Sequence, residues 1–202
     1  MEFQYFTGIT ETKFEMFFGC NNLERVELPK TCRKISDKFA VFTTADLIAG
    51  KESKLSYVGG VENVEYVGQN AFQYCYNIKE LNFTSKLKTI VKNAFSGIYT
   101  RLTKEDSRKC HLESVGDLSG VETMGDYAFQ CQSELRVVNP TSVTSLGTYV
   151  FASCPKLHPI LNWAIIQSIS NGVFSYQGTT QQVNLYVDDF IKLNAVVETV
   201  PD

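Results

Sequence analysis

Val67-Gly-Gln-Asn-Ala-Phe-Gln-Tyr-Cys-Tyr-Asn-Ile78 and Thr144-Ser-Leu-Gly-Thr-Tyr-Val-Phe-Ala-Ser-Cys-Pro-Lys-Leu157 follow one pattern. Each sets a Gly ahead of an Ala-Phe or Val-Phe pair, a Cys three residues after the Phe, and an aliphatic residue three further on. The anchor recurs as Phe17, Phe72, Phe95, Phe129, Phe151 and Phe174, with gaps of 23, 22 and 23 residues from Phe72 to Phe95, Phe129 to Phe151 and Phe151 to Phe174. A repeat of that length predicts a solenoid, because one coil cannot bury its apolar side alone and neighbours must stack.

Apolar residues return six, nine and eleven places after each anchor: Leu23, Val26 and Leu28 after Phe17, and Ile78, Leu81 and Phe83 after Phe72. That spacing fits a short strand facing the interior, since alternate strand residues share a face. A second apolar pair, such as Leu87 and Ile90 or Ile166 and Ile169, marks the returning side of the coil. Ala40 holds the anchor place after Ile35. Allowing nine extra residues after it brings Leu55, Val58, Val64 and Val67 into register, and eleven after Phe95 do the same for Leu112, Val115, Val121 and Met124. The expectation is seven coils, two carrying insertions near 42–54 and 99–111, capped by residues 1–8 and 188–202. Leu185 to Val187 would be the last coil strand, and Asp188 would begin a short capping helix. With parallel strands about 4.8 Å apart, seven coils would be roughly 35 Å long. The Gly, Asp and Asn residues before each Ala-Phe suggest entry into a single helical or 3₁₀ turn.

The units Val67 to Ile78 and Thr144 to Leu157 resemble the repeat I-G-x-x-A-F-x-x-C-x-x-L-x-x-I-x-I-P of BspA-like leucine-rich repeat proteins, and the likeness runs from about Ile9 to Val187. The lead-in Phe3 to Gly8 resembles that of such arrays in Bacteroides-type gut bacteria. The fold class implied is an α/β leucine-rich-repeat solenoid of about seven 22–23-residue coils with short parallel strands and single helical or 3₁₀ turns. The resemblance also implies a secreted or surface-attached bacterial protein that adheres to host matrix proteins or to other cells.

Composition narrows function further. A net charge of −3 and a pI near 5.5 leave no basic surplus for gripping nucleic acid or anionic lipid. No apolar run approaches a membrane span, and Met1-Glu2-Phe3 starts without a signal peptide's basic and apolar segments. The cysteines do not form zinc-ligand spacing, because no C-x-x-C pair is present. Cys20, Cys75 and Cys154 fall three places after an anchor, Cys131 two, and Cys32 at an apolar return place, so these five read as buried filler. Cys110, in the second insertion, reads as an exposed thiol. A disulfide ladder would require stacked neighbours within bonding geometry. His111 and His158 have no nucleophile or carboxylate at a recognisable spacing. No catalytic residue, cofactor or metal ligand is assigned.

What remains is a surface. Tyr57, Lys79, Glu80, Asn82, Glu113, Arg136, Asn139 and His158 lie at outward places of the principal strands, with His158 seven residues after its anchor. These form the candidate binding face for a protein ligand. The insertions leave the stack from coils two apart, which puts their bases about 10 Å from each other. Per-repeat insertions often carry binding, so Arg101, Lys104 and Arg108 are candidate loop contacts. A spacer that presents another domain is the alternative reading.

Overall fold

The computed structural model describes residues 8–41, 53–97, 110–159, 161–162 and 164–175. Within them each coil contributes two short strands. The outgoing strands are β1 (Arg25–Glu27), β3 (Tyr57–Gly59), β5 (Glu80–Phe83), β7 (Ser114–Gly116), β9 (Val137–Val138) and β11 (His158–Pro159). The returning strands are β2 (Lys34–Ile35), β4 (Tyr66–Val67), β6 (Thr89–Ile90), β8 (Thr123–Met124), β10 (Ser145–Leu146) and β12 (Ser168–Ile169). All returning strands join one parallel six-stranded sheet in coil order, while the outgoing strands form three parallel pairs, β1–β3, β5–β7 and β9–β11. Register puts Arg25 opposite Tyr57 and Glu80 opposite Ser114, the offsets that insertions of nine and eleven residues require.

The expected helical or 3₁₀ turns, and with them the α part of the class, are overturned: among the described residues there is no helix of either kind. The anchor segment is a run of overlapping β-turns whose N–H groups alternate between two partners. In the third coil Ala71, Gln73 and Cys75 donate to the carbonyls three residues back, at Gly68, Asn70 and Phe72. The N–H groups between them, on Asn70, Phe72 and Tyr74, donate to Lys92, Ala94 and Ser96 of the next coil. A helix needs every N–H for its own chain, so stacking and helix compete for the same donors. Positive φ at Asn70 (56°) and Tyr74 (62°) makes the turns possible. The Gly and Asn signals are therefore turn signals; reading them as helix entry mistakes one use of those residues for another.

The anchor rings form a continuous column. Phe72, Phe95, Phe129, Phe151 and Phe174 stack with centroids 5.0–5.8 Å apart and planes within 17° of parallel. The second coil has Ala40 at the anchor place, yet the column is unbroken. Phe39, one residue earlier and fully buried, supplies the ring, meeting Phe17 at 5.1 Å and Phe72 at 5.6 Å edge-on.

The place three after the anchor has a specific task. The Cys75 thiol donates to the Ala40 carbonyl at 2.9 Å and the Cys154 thiol to the Phe129 carbonyl at 3.1 Å, each reaching the anchor place of the preceding coil. In the fifth coil Gln132 occupies that place and its Nε2 donates to the Phe95 carbonyl. Cys131 sits at the positive-φ turn place instead (φ 62°). Two cysteine assignments need correcting. Cys20 is exposed, since it lies in the first described coil, and Cys110 is buried, packed with Tyr76 against Tyr74. The proposed insertions and caps otherwise fall outside the described residues, as do Arg101, Lys104 and Arg108.

Removing one ring of the column leaves a gap between two stacked neighbours. Phe129→Ala should lower unfolding free energy by about 3–5 kcal/mol, read as a fall in the urea midpoint. Burial pushes the thiols of Cys75 and Cys131 up from 9.0 to about 12. Both groups are neutral in the fold, so their contribution is fully present below pH 9 and is lost as pH rises toward 12. A thiol reagent at neutral pH should therefore label Cys20 rapidly and the other five only on unfolding, and stability should decline above pH 9.

Candidate docking cleft

The outgoing face is held by one repeated backbone bond. Seven places after each anchor, with insertions allowed for, an N–H donates to the preceding coil: Ser56 to Glu24 at 3.0 Å, Glu113 to Lys79 at 2.8 Å and Arg136 to Glu113 at 3.2 Å. The sixth coil continues the series, with the His158 N–H donating to Arg136 at 2.7 Å. Lys79 makes no such bond to Ser56, and no backbone hydrogen bond joins β3 to β5. β5 also shifts register between Glu80 and Phe83 where it pairs with β7. Such an irregularity bends a strand. The opening is a cleft of about 290 Å³ lined by Ser56, Tyr57, Val58, Gly59, Val61, Glu62, Lys79, Glu80 and Asn82.

Tyr57 forms one wall and is 38% exposed. Arg25 from β1 lies over its ring at 3.5 Å, and Glu27 approaches the Arg25 guanidinium at 3.6 Å. Gly59 leaves room for this cluster, because a Cβ there would overlap both the Glu27 carboxylate and the Tyr57 hydroxyl. Val58 and Val61, both buried, form the apolar floor. An aromatic wall over an apolar floor with a polar rim is the composition of protein-contact hot spots.

Of the eight residues assigned to the face, the cleft brings four together: Tyr57, Lys79, Glu80 and Asn82. The others lie farther along. Glu113 and Arg136 pair with each other at 3.6 Å. Asn139 is a brace: its Oδ1 accepts the Leu118 N–H at 2.8 Å and its Nδ2 donates to Asp117 Oδ1 at 2.9 Å. His158 pairs with Val137, so it occupies the column eight after the anchor, one place from the expected one; the stretch from Phe151 to this strand runs a residue short and Pro159 is the buried member. Glu62 was missed because it sits in the turn after β3, outside the strand pattern. Arg25 was legible as the residue opposite Tyr57. Among the described residues no group of three or more His, Cys, Asp or Glu side chains is placed to hold a metal ion, and no helix is long and apolar enough to cross a membrane.

A model of the BspA type leucine rich repeat region matches this chain in six copies, over residues 2–106 and 49–181. The chain belongs to that family. The crystal structure of a leucine rich repeat protein from T. pallidum is similar over 82% of this chain and 69% of that one, with 24% identity and a TM-score of 0.61. A leucine-rich repeat protein from Bacteroides ovatus is similar over 83% of this chain and 42% of that one, with 18% identity and a TM-score of 0.52. No curated protein matches. Those two likenesses carry the fold. As a BspA-type repeat region the chain is a scaffold with a general role in protein interaction.

The brace at Asn139 separates structure from binding on this face. The backbone N–H of Ser119, then its side chain, then Asn139 hold the Asp117 carboxyl below its ordinary 3.8. A depressed carboxyl contributes above its unfolded value and loses that contribution as pH falls through the lower folded one. Asn139→Ala should cost about 1 kcal/mol of stability at neutral pH by removing its two hydrogen bonds. The difference from the parent should shrink below pH 3.8, measured by urea unfolding at each pH.

Proposed function

We propose that this BspA-type repeat region is an adhesive docking module of a secreted or surface-attached bacterial protein. It holds a protein ligand on its outgoing face, centred on the cleft between β3 and β5. The observation that carries this reading is the cleft itself: the backbone ladder opens there beside a half-exposed tyrosine. Farther along, charges are closed in the Glu113–Arg136 and Glu134–Lys156 pairs. The face continues past the cleft to Val137, which is 50% exposed and offers a second apolar contact. Arg101, Lys104 and Arg108 of the second insertion extend the same reading to a flanking loop.

The test is a binding screen of the isolated chain against immobilised extracellular-matrix proteins, alongside Tyr57→Ala, Asn82→Ala and a version lacking both insertions. Tyr57→Ala should weaken capture by at least about 2 kcal/mol, the scale of an aromatic hot spot, with the urea midpoint little changed. Capture that survives Tyr57→Ala and Asn82→Ala undiminished would place the ligand elsewhere. No capture by the intact chain would leave the spacer reading in its place.

A further inference from the structure

Six ion pairs join charged side chains of neighbouring coils. Glu11 pairs with Lys34, Glu15 with Lys38, Arg33 with Glu65, Lys88 with Glu122, Glu113 with Arg136 and Glu134 with Lys156. The cleft holds none of these pairs. Among the described residues its three charged lining groups, Glu62, Lys79 and Glu80, make no ion pair and no side-chain hydrogen bond.

Tyr57 shows what such a place accepts. On the side of β1 its ring is covered by the Arg25 guanidinium, with the Glu27 carboxylate closing the contact. β3 lies between β1 and β5, so the cleft is on the other side of the same tyrosine. There two carboxylates, Glu62 and Glu80, share a lining with the ring and with Lys79, and among the described residues the cation over the ring is Arg25, on the β1 side. A guanidinium is planar and weakly hydrated, so it stacks on an aromatic face while donating to a carboxylate. Asn82 and Ser56 add uncharged acceptors at the rim.

We infer that the cleft between β3 and β5 takes a single arginine side chain from an extended segment of the protein ligand, repeating against Glu62 and Glu80 the contact that Arg25 makes with Tyr57 and Glu27. Lys79, the one cation in the lining, opposes a run of positive charge. The fit is therefore to one basic residue flanked by neutral or acidic neighbours rather than to a polybasic stretch. This rests on the docking reading above and specifies its chemistry.

The experiment titrates the ¹⁵N-labelled full chain with three octapeptides in a Ser/Gly frame: one with a single arginine, one with citrulline in its place, and one with four successive arginines. Citrulline keeps the shape and removes the charge. Amide shifts at Tyr57, Gly59, Glu80 and Asn82 should follow the single-arginine peptide, with citrulline weakening apparent affinity about tenfold. The double variant Glu62→Gln, Glu80→Gln should erase the preference for arginine over citrulline, and Lys79→Gln should improve the four-arginine peptide relative to the single one. Equal titration by arginine and citrulline would overturn the cation inference while leaving a docking cleft. Shifts confined to other parts of the chain, or none with any peptide, would overturn both.

Discussion

The structure depends on how its turn segments divide their backbone donors. Alternate N–H groups close turns within a coil, and the ones between reach the next coil's carbonyls. Every buried peptide group needs a partner, so this division supports a stack and forbids a helix. It also sets the side-chain columns. Residues at equivalent places lie one above another, which is why the phenylalanine rings stack at 5.0–5.8 Å. The donor at the cysteine place then reaches a spare carbonyl at the anchor below. That a thiol and a carboxamide both serve there, at Cys75, Cys154 and Gln132, shows that a compact donor is required rather than sulfur chemistry.

Much of this was legible because the solenoid writes each contact several times. The register across two insertions followed from four apolar matches apiece, and strand pairing has the same offsets. The illegible parts were places where a single residue acts outside its column. Phe39 fills the ring column from the place before the anchor, which a pattern anchored on Ala40 does not reveal. His158 is displaced by one because the stretch from Phe151 to its strand is a residue shorter than that from Phe129 to Val137, while the coil as a whole keeps 23 residues, so the anchor spacing does not show it. The turn segments misread as helical share Gly, Asn and Asp with helix entries; the competition for N–H groups appears only when neighbouring coils are considered.

For the candidate site, the sequence identified the outward residues but not which of them converge. Four of eight line one cleft, and the reason lies in bonds that are absent at that place, which no single coil encodes. Tyr57, Lys79, Glu80 and Asn82 come together because the face opens, whereas Glu113 and Arg136 occupy the same columns farther along and are closed by their own pairing.

Both interruptions of the outgoing ladder lie directly after a coil that carries an insertion. Both coils that carry one end their outgoing strand in Val-Gly and then press onto the coil before. Gly60 (φ 73°) lies against the Leu28 carbonyl and Gly116 (φ 76°) against that of Phe83, where a Cβ would overlap the oxygen. Drawn onto the preceding coil, β3 pairs with β1 and β7 with β5, and each leaves its other edge without a continuous ladder. The two edges then differ in their side chains. Beyond β7, Glu113 faces Arg136, and the Arg136 N–H still reaches the Glu113 carbonyl, so the gap is bridged. Beyond β3 the equivalent pair is Ser56 and Lys79, which has no charge to match, and neither bond forms. The two interruptions therefore differ in the residue pair at their base: Glu113 and Arg136 close one by backbone bond and ion pair, and Ser56 and Lys79 leave the other open.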